Sequence, residues 1–389
     1  MQAGGAPRKI LISAGEASGD LYAALLVEEL RRRWPETEFL GCVGPRLRRA
    51  GVRDVIRAES LAVVGLLEVV RHIPRIYRQY RKLLAAARQE KPELAILTDS
   101  PDFHLRVARR LHRWGVPVIY LVAPQVWAWR KGRLPLMRRV LTRLLCIFPF
   151  EEKFFREHGV PVTYIGHPLA GLVRPSMAKP DFFRKHGLPD ERPLIAVLPG
   201  SRRGEAARHL PELLGAIELI RKERPATFVL PASSNTGTAF FRERIGESGI
   251  QVIEGEAWDA IAHADLALAA SGTVTVEAAL LGTPMIAFYR VNPLSWLIGK
   301  MLVRVPFFSM VNLIAERKIV PELMQSDMTA RRIGDEANSL LGDQDRRLRM
   351  KRDLAEVAAK LSDRGDAIAR AADAIVAMRE DRVVQLQAN

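Results

Sequence analysis

The chain has 389 residues, and its 59 Lys and Arg against 44 Asp and Glu leave a formal charge of +15 at neutral pH. That length suffices for two domains with a core each; 48% hydrophobic and 26% charged residues exclude a disordered polyelectrolyte and a multispan membrane protein. The cationic excess calls for an anionic partner, which composition leaves open among nucleic acid, an acidic membrane face and a phosphorylated substrate.

In chain order, the apolar run Ile10–Ala14 reads as a buried parallel strand, broken by Gly15-Glu16-Ala17-Ser18-Gly19-Asp20 and followed by a periodic helix over Leu21–Trp34. Because the strand-like Lys9–Ser13 meets Gly15-Glu16 directly, no signal-peptide core is expected. Further strands are expected at Phe39–Val43, Leu94–Thr98, Val116–Val122, Leu144–Phe148 and Val162–Ile165, with helices between them. The Pro-rich stretch His167–Pro193 reads as an interdomain connection. The rhythm restarts with strand Leu194–Leu198, turn Pro199–Gly204, a helix to about Lys222, and strands Thr227–Pro231, Gln251–Glu254, Leu266–Ala269 and Met285–Phe288. From about Ala330 the chain is charged and helical. The alternation predicts two doubly wound, Rossmann-like α/β domains facing a cleft, with boundaries at 1–170, 171–329 and a helical tail at 330–389. Cys42 and Cys146 lie in apolar runs without CxxC spacing, which fits buried thiols in a reducing compartment. With no run of about 18 apolar residues, no span is expected and the protein reads as cytoplasmic.

Ligands of open parallel sheets bind at the strands' carboxyl ends, so the post-strand loops are where chemistry is sought. Gly15–Asp20 has neither P-loop nor dinucleotide spacing; its Glu16 suits a sugar hydroxyl, while Ser18 and Asp20 suit helix capping. Asp99 in Asp99-Ser100-Pro101-Asp102-Phe103 is a candidate general base, against a turn around Pro101 as its plainer alternative, and Asp102 reads as a turn stabiliser. Gly200, Ser201 and Arg202 open a helix with N–H groups and a guanidinium, an arrangement fit for a diphosphate, against a basic turn with a solvated arginine. Ser271, Gly272 and Thr273 form a second such loop, and Glu277, one turn on, suits a ribose or a helix cap. The eight histidines show no metal-ligand spacing, and there is no GxSxG hydrolase signal.

The charge is unevenly spread. Leu61–Val70 is apolar but for Glu68, and Arg71–Gln89 and the stretch between Asp102 and Glu151 hold six and ten Arg or Lys with no acid. An apolar segment (Val63, Val64, Leu66, Leu67, Val69, Val70) beside cations and tryptophans suits an anionic membrane face, against a core helix as the plainer alternative. No nucleic-acid signature accompanies the charge, so no nucleic acid partner is expected.

Several motifs together resemble lipid-A-disaccharide synthases. They are Ser13–Asp20, Asp99–Phe103, Pro124-Gln125-Val126-Trp127-Ala128-Trp129-Arg130, Phe148-Pro149-Phe150-Glu151, Ile165-Gly166-His167-Pro168, Leu198–Arg202, Ala270–Thr273 with Glu277, Asn312-Leu313-Ile314-Ala315 and Ile319–Leu323. They run collinearly from about Lys9 to Gln325, and their order makes the resemblance specific. It implies an inverting glycosyltransferase of the two-domain GT-B fold that needs no cofactor or metal. The implied reaction moves 2,3-diacylglucosamine from UDP-2,3-diacylglucosamine to the 6-hydroxyl of 2,3-diacylglucosamine 1-phosphate, at the cytoplasmic face of a Gram-negative inner membrane. Asp99 matches the family's essential aspartate. The resemblance also implies that Arg202 and the loop N–H groups hold UDP, that Glu277 takes the ribose, that Asn312 and Gln325 complete the nucleotide wall, and that Glu16 orients a sugar. His104 stands where some relatives carry Asn. The tail either returns to the N-terminal domain or is exchanged in a homodimer. Two rival readings are another GT-B enzyme on UDP-N-acetylglucosamine, such as an epimerase, and a non-enzymatic binder of RNA or anionic lipid.

Overall fold

A computed structural model describes residues 6–60, 66–233, 236–292, 296 and 305–387. The chain divides into two units, one of Met1–Gly171 with Leu361–Asn389, the other of Leu172–Lys360.

The first unit is built on strands β1 (Lys9–Ala14), β2 (Glu38–Val43), β3 (Arg53–Arg57), β4 (Leu94–Thr98), β5 (Val118–Leu121), β6 (Arg143–Cys146) and β7 (Val162–Tyr164). They form a parallel sheet in the order β3-β2-β1-β4-β5-β6-β7. Parallel strands covered by helices are buried on both faces, which is why β1, β4 and β5 read as unbroken apolar runs. On one side, Leu11, Leu97, Tyr120, Met137 and Phe155 share a core. Strand β3, RDVIR, escapes the sequence pattern because it is an edge strand with only two buried residues. Lys9, Arg53 and Glu90 form an ion-paired group on this unit's surface.

The second unit carries β8 (Leu194–Leu198), β9 (Thr227–Ala232), β10 (Gln251–Glu254), β11 (Leu266–Ala270), β12 (Met285–Tyr289) and β13 (Glu322–Met324). Their order is β10-β9-β8-β11-β12-β13, again parallel. The helix Ala330–Gly342 packs on Arg203–Glu223 at a crossing without room for larger side chains: a Cβ on Gly215 would lie 2.8 Å from that of Ala330.

The stretch 172–193, read in the sequence as a connection and as the start of the second domain, lies in the second unit. The buried Asp259 carboxylate accepts the N–H groups of Ser176 (2.7 Å) and Met177 (3.0 Å) and the Ser176 hydroxyl (2.9 Å). The tail is shared: helix Ala330–Gly342 belongs to the second unit, and helix Ala367–Gln387 to the first. There it lies on Ala17–Arg33, where Arg33 pairs with Asp373 at 2.6 Å, and Arg379 pairs with Glu93.

Candidate active site

Each sheet has one point where strand order reverses, between β1 and β4 in the first unit and between β8 and β11 in the second. A crevice opens beyond the carboxyl ends of strands at such a point, because their connections leave on opposite faces. All four loops singled out in the sequence follow these four strands.

In the first unit, Asp99 lies just past β4, opposite the start of helix Ala17–Arg33. Its Oδ1 and Oδ2 accept the Gly15 N–H at 2.8 and 3.1 Å, and Oδ2 accepts the Glu16 N–H at 3.0 Å. This close approach explains the glycines: a Cβ on Gly19 would sit 1.9 Å from Asp99 Oδ2, and one on Gly15 only 2.6 Å from Ser100 Oγ. Burial pushes the Asp99 carboxyl up to about 8; the Glu16 and Gly15 N–H groups work against the shift, and the Glu16 charge adds to it. Glu16 itself is exposed.

The Asp99 backbone is held in an uncommon conformation. Asp99 (φ 53°) and Ser100 (φ 36°) are both left-handed, a costly arrangement for non-glycine residues. Two side chains fasten the Asp99 carbonyl: the Tyr120 hydroxyl donates to it, and His104 Nδ1 lies 3.0 Å away. With Nδ1 as the donor, His104 Nε2 accepts the Ser13 hydroxyl at 2.7 Å. His104 is fully buried, and burial lowers its pKa to about 4, so the ring is neutral.

Asp20, read as a cap for its own helix, and Asp102, read as a turn stabiliser, take other structural roles. Asp20 caps another helix, Pro45–Arg49, accepting the N–H groups of Gly44 (2.9 Å), Arg46 (2.8 Å) and Leu47 (3.2 Å). Asp102 accepts two oxygens' worth of bonds from Arg130 Nη1, at 2.9 and 2.8 Å, and one from Arg133. Glu151, in the third position of helix Pro149–Glu157, is buried; it accepts Trp127 Nε1 (3.0 Å) and the N–H groups of Phe148 and Ile147 (3.2 and 3.3 Å). Burial pushes its carboxyl up to about 7. Trp127 in turn meets Phe150 edge-on, with centroids 5.0 Å apart.

In the second unit, Gly200, Ser201 and Arg202 link β8 to helix Arg203–Glu223, with Arg202 at the helix cap and Ser201 and Arg202 exposed. The Glu205 side chain folds over Gly200 (φ 119°), where a Cβ would lie 2.4 Å from Oε2. Tyr289 bonds Glu205, and burial pushes its hydroxyl up to about 12. The loop is braced from below by buried His209. Its Nδ1 lies 2.8 Å from the Pro199 carbonyl, and its Nε2 accepts the Arg290 N–H at 3.1 Å.

Beside it, Ser271, Gly272 and Thr273 join β11 to helix Thr273–Leu280, whose first N–H groups lack partners within the helix. The Ser271 hydroxyl donates to the Phe308 carbonyl at 3.0 Å. Glu277 bonds Trp258, a residue sequence spacing does not link to it, and burial raises its pKa.

Asn312 and Gln325, the two residues expected at the nucleotide wall, both bond within the second unit. Asn312 is fully buried; its Oδ1 accepts the N–H groups of Ile319 (2.8 Å) and Val320 (3.0 Å), and its Nδ2 donates to Val320 O (3.0 Å) and Glu322 Oε1 (2.8 Å). The Gln325 amide, oriented to satisfy both its ends, pairs with the Val291 N–H (2.8 Å) and C=O (3.2 Å). Residues 61–65, including Val63 and Val64, lie outside the described residues, as do the side chains of Leu66, Leu67, Val69 and Val70. Among the described residues, no group of three or more His, Cys, Asp or Glu is placed to hold a metal ion.

A family model described as lipid-A-disaccharide synthetase matches residues 10–376. A lipid-A-disaccharide synthase of Solibacter usitatus is 66% identical over 379 residues, covering 97% of this chain and 99% of the relative. Among solved structures, the glycotransferase of kitacinnamycin superposes with a TM-score of 0.63 at 15% identity, over 96% of this chain and 99% of that one. A putative UDP-N-acetylglucosamine 2-epimerase from Listeria monocytogenes gives 0.60 at 16% identity, over 97% of each chain. At these identities the structural likenesses establish the fold, GT-B, and nothing finer.

Proposed function

Because the chain belongs to the lipid-A-disaccharide synthase family, and is therefore a glycosyltransferase of lipid A biosynthesis with sugar-nucleotide and lipid substrates, we propose that Asp99 is its general base and the β8 and β11 loops its diphosphate site. The donor is UDP-2,3-diacylglucosamine and the acceptor 2,3-diacylglucosamine 1-phosphate. One carboxylate oxygen of Asp99 takes the proton of the acceptor 6-hydroxyl as O6 bonds the donor's anomeric carbon. The bond from that carbon to the β-phosphate oxygen breaks, its electron pair leaves with UDP, and the anomeric configuration inverts.

The observation that carries this reading is the Asp99 environment: a carboxyl with its proton affinity raised to about 8, at the switch point of a sheet, held by two backbone N–H groups. A base is most effective when its pKa lies near the working pH. Glu16 orients the acceptor sugar. On the donor side, Arg202 and the N–H groups of Gly200–Ser201 and Gly272–Thr273 stabilise the leaving diphosphate. Glu277, steadied by Trp258, takes the ribose.

The enzyme works as a peripheral protein on the cytoplasmic face of the inner membrane, with the apolar segment around Val63–Val70 receiving acyl chains. Supporting this, no helix among the described residues is long and apolar enough to cross a membrane. Helix Leu66–Glu90 exposes Ile73 and Tyr77 beside Arg75, Arg78, Arg81 and Lys82. Purified protein given both substrates with EDTA is expected to form disaccharide phosphate and UDP in equal amounts. Hydrolysis or epimerisation of the donor without disaccharide would overturn the reading.

A further inference from the structure

Around Asp102, two arginines converge on one exposed carboxylate. Arg130 Nη1 bonds both its oxygens, at 2.9 and 2.8 Å, and Arg133 Nη2 bonds Oδ1. The Trp129 ring lies against both guanidiniums, 4.4 Å from that of Arg130 and 5.7 Å from that of Arg133. Arg130 adopts a left-handed backbone (φ 59°) at this bend of the loop. The Asp102 and Arg130 side chains are 71% and 44% exposed, so this ion pair adds little stability. Two positive charges facing one negative leave a surplus positive charge, and Asp102 stands in the first turn of the 13-residue helix Pro101–Arg113, whose dipole adds to it.

This cluster is next to the proposed base. Asp102 follows Asp99 by three residues, and the charges of Arg133 and Asp102 both reach the Tyr120 hydroxyl that donates to the Asp99 carbonyl. In the acceptor, the phosphate is on C1 and the 6-hydroxyl on C6, the exocyclic carbon borne by C5, and C1 and C5 flank the ring oxygen. A phosphate site must therefore lie within one hexose of the base.

We propose that Arg130 and Arg133 bind the acceptor's phosphate monoester, with Asp102 holding the two guanidiniums in place for it. A phosphate offers three oxygens to two planar forks where Asp102 offers two, and bidentate Arg–phosphate bonds are strong and directional. The proposal rests on the acceptor assigned above.

The test compares kcat/KM for the acceptor with and without its 1-phosphate, in neutral detergent so that no anionic lipid contributes. The wild type should prefer the phosphorylated acceptor. Arg130→Ala with Arg133→Ala should lower that preference by about tenfold or more, the scale of one lost charge-assisted pair. Arg133→Lys should fall between, since it keeps the charge and loses the fork. A preference unchanged in the alanine variants, whatever their overall rate, would overturn the proposal, as would a wild type indifferent to the phosphate. Failure of the wild type to make disaccharide from either acceptor would overturn the reaction itself.

Discussion

Asp99 combines a bonding environment that favours its anion with a burial that disfavours it, and burial wins. Unfolded, the carboxyl ionises near its ordinary value of 3.8; folded, it keeps its proton to about 8. The folded state therefore binds the extra proton across that window, and its stability falls as pH rises through it. His104 acts in the opposite sense within the same window. Its folded pKa of about 4 lies below the ordinary 6.5, so stability is lost as pH falls between the two. Replacing His104 with Asn, an amide that does not titrate, should remove the share of stability lost as pH falls from about 6.5 to 4, so that Tm holds up better toward acid than in the wild type; an unchanged slope would contradict the buried neutral ring. Gly19 tests the packing around the base. Gly19→Ala would place a methyl 1.9 Å from Asp99 Oδ2, so the carboxylate must move. Turnover is expected to drop by about 10²-fold, as for a misplaced catalytic group, with the far-ultraviolet circular dichroism retained. Near-wild-type turnover would show that the carboxylate position is not critical.

At the scale of elements, Asn312 welds helix Met310–Ala315 to the segment entering β13 through four hydrogen bonds. Asn312→Ala would leave buried N–H and C=O groups without partners, at a cost of about 2–4 kcal/mol in urea unfolding. A variant of wild-type stability and raised donor KM would instead give Asn312 its role at the nucleotide wall. The contrast marks what was legible in the sequence. Strands such as Leu94–Thr98 and Leu194–Leu198, and the loops after them, are local apolar runs ended by turn residues, and periodicity finds them. Asn312 sits in a motif, and a motif does not say whether its amide faces a ligand or the backbone. Glu151 bonding Trp127 and Trp258 bonding Glu277 are contacts between elements distant in sequence, without a spacing to betray them. The tail read as one helical block because its charge and lack of turns are uniform. Its division depends on which face each helix buries, and Gly215 and Gly334 give the close approach that keeps Ala330–Gly342 on the second unit.

At the scale of the whole molecule, the +15 charge gains a location. The acid-free cationic stretches fall on helix Leu66–Glu90 and from helix Pro101–Arg113 to the segment before Glu151, all in the first unit, which also carries Asp99. If that unit meets an anionic membrane, Ile73→Ser with Tyr77→Ser should weaken binding to phosphatidylglycerol vesicles, and raised salt should weaken binding of the wild type. Vesicle binding indifferent to both changes would contradict a membrane role for this helix. The central claim, however, is that Asp99 is the base of the transfer, and the pH profile of kcat/KM for disaccharide formation tests it most directly. The wild type should rise with pH along a single acid limb and level off above about 8 as Asp99 loses its proton. Asp99→Asn should lower the plateau by at least ~10²-fold and erase the limb. A variant that keeps both the limb and the rate would contradict the account.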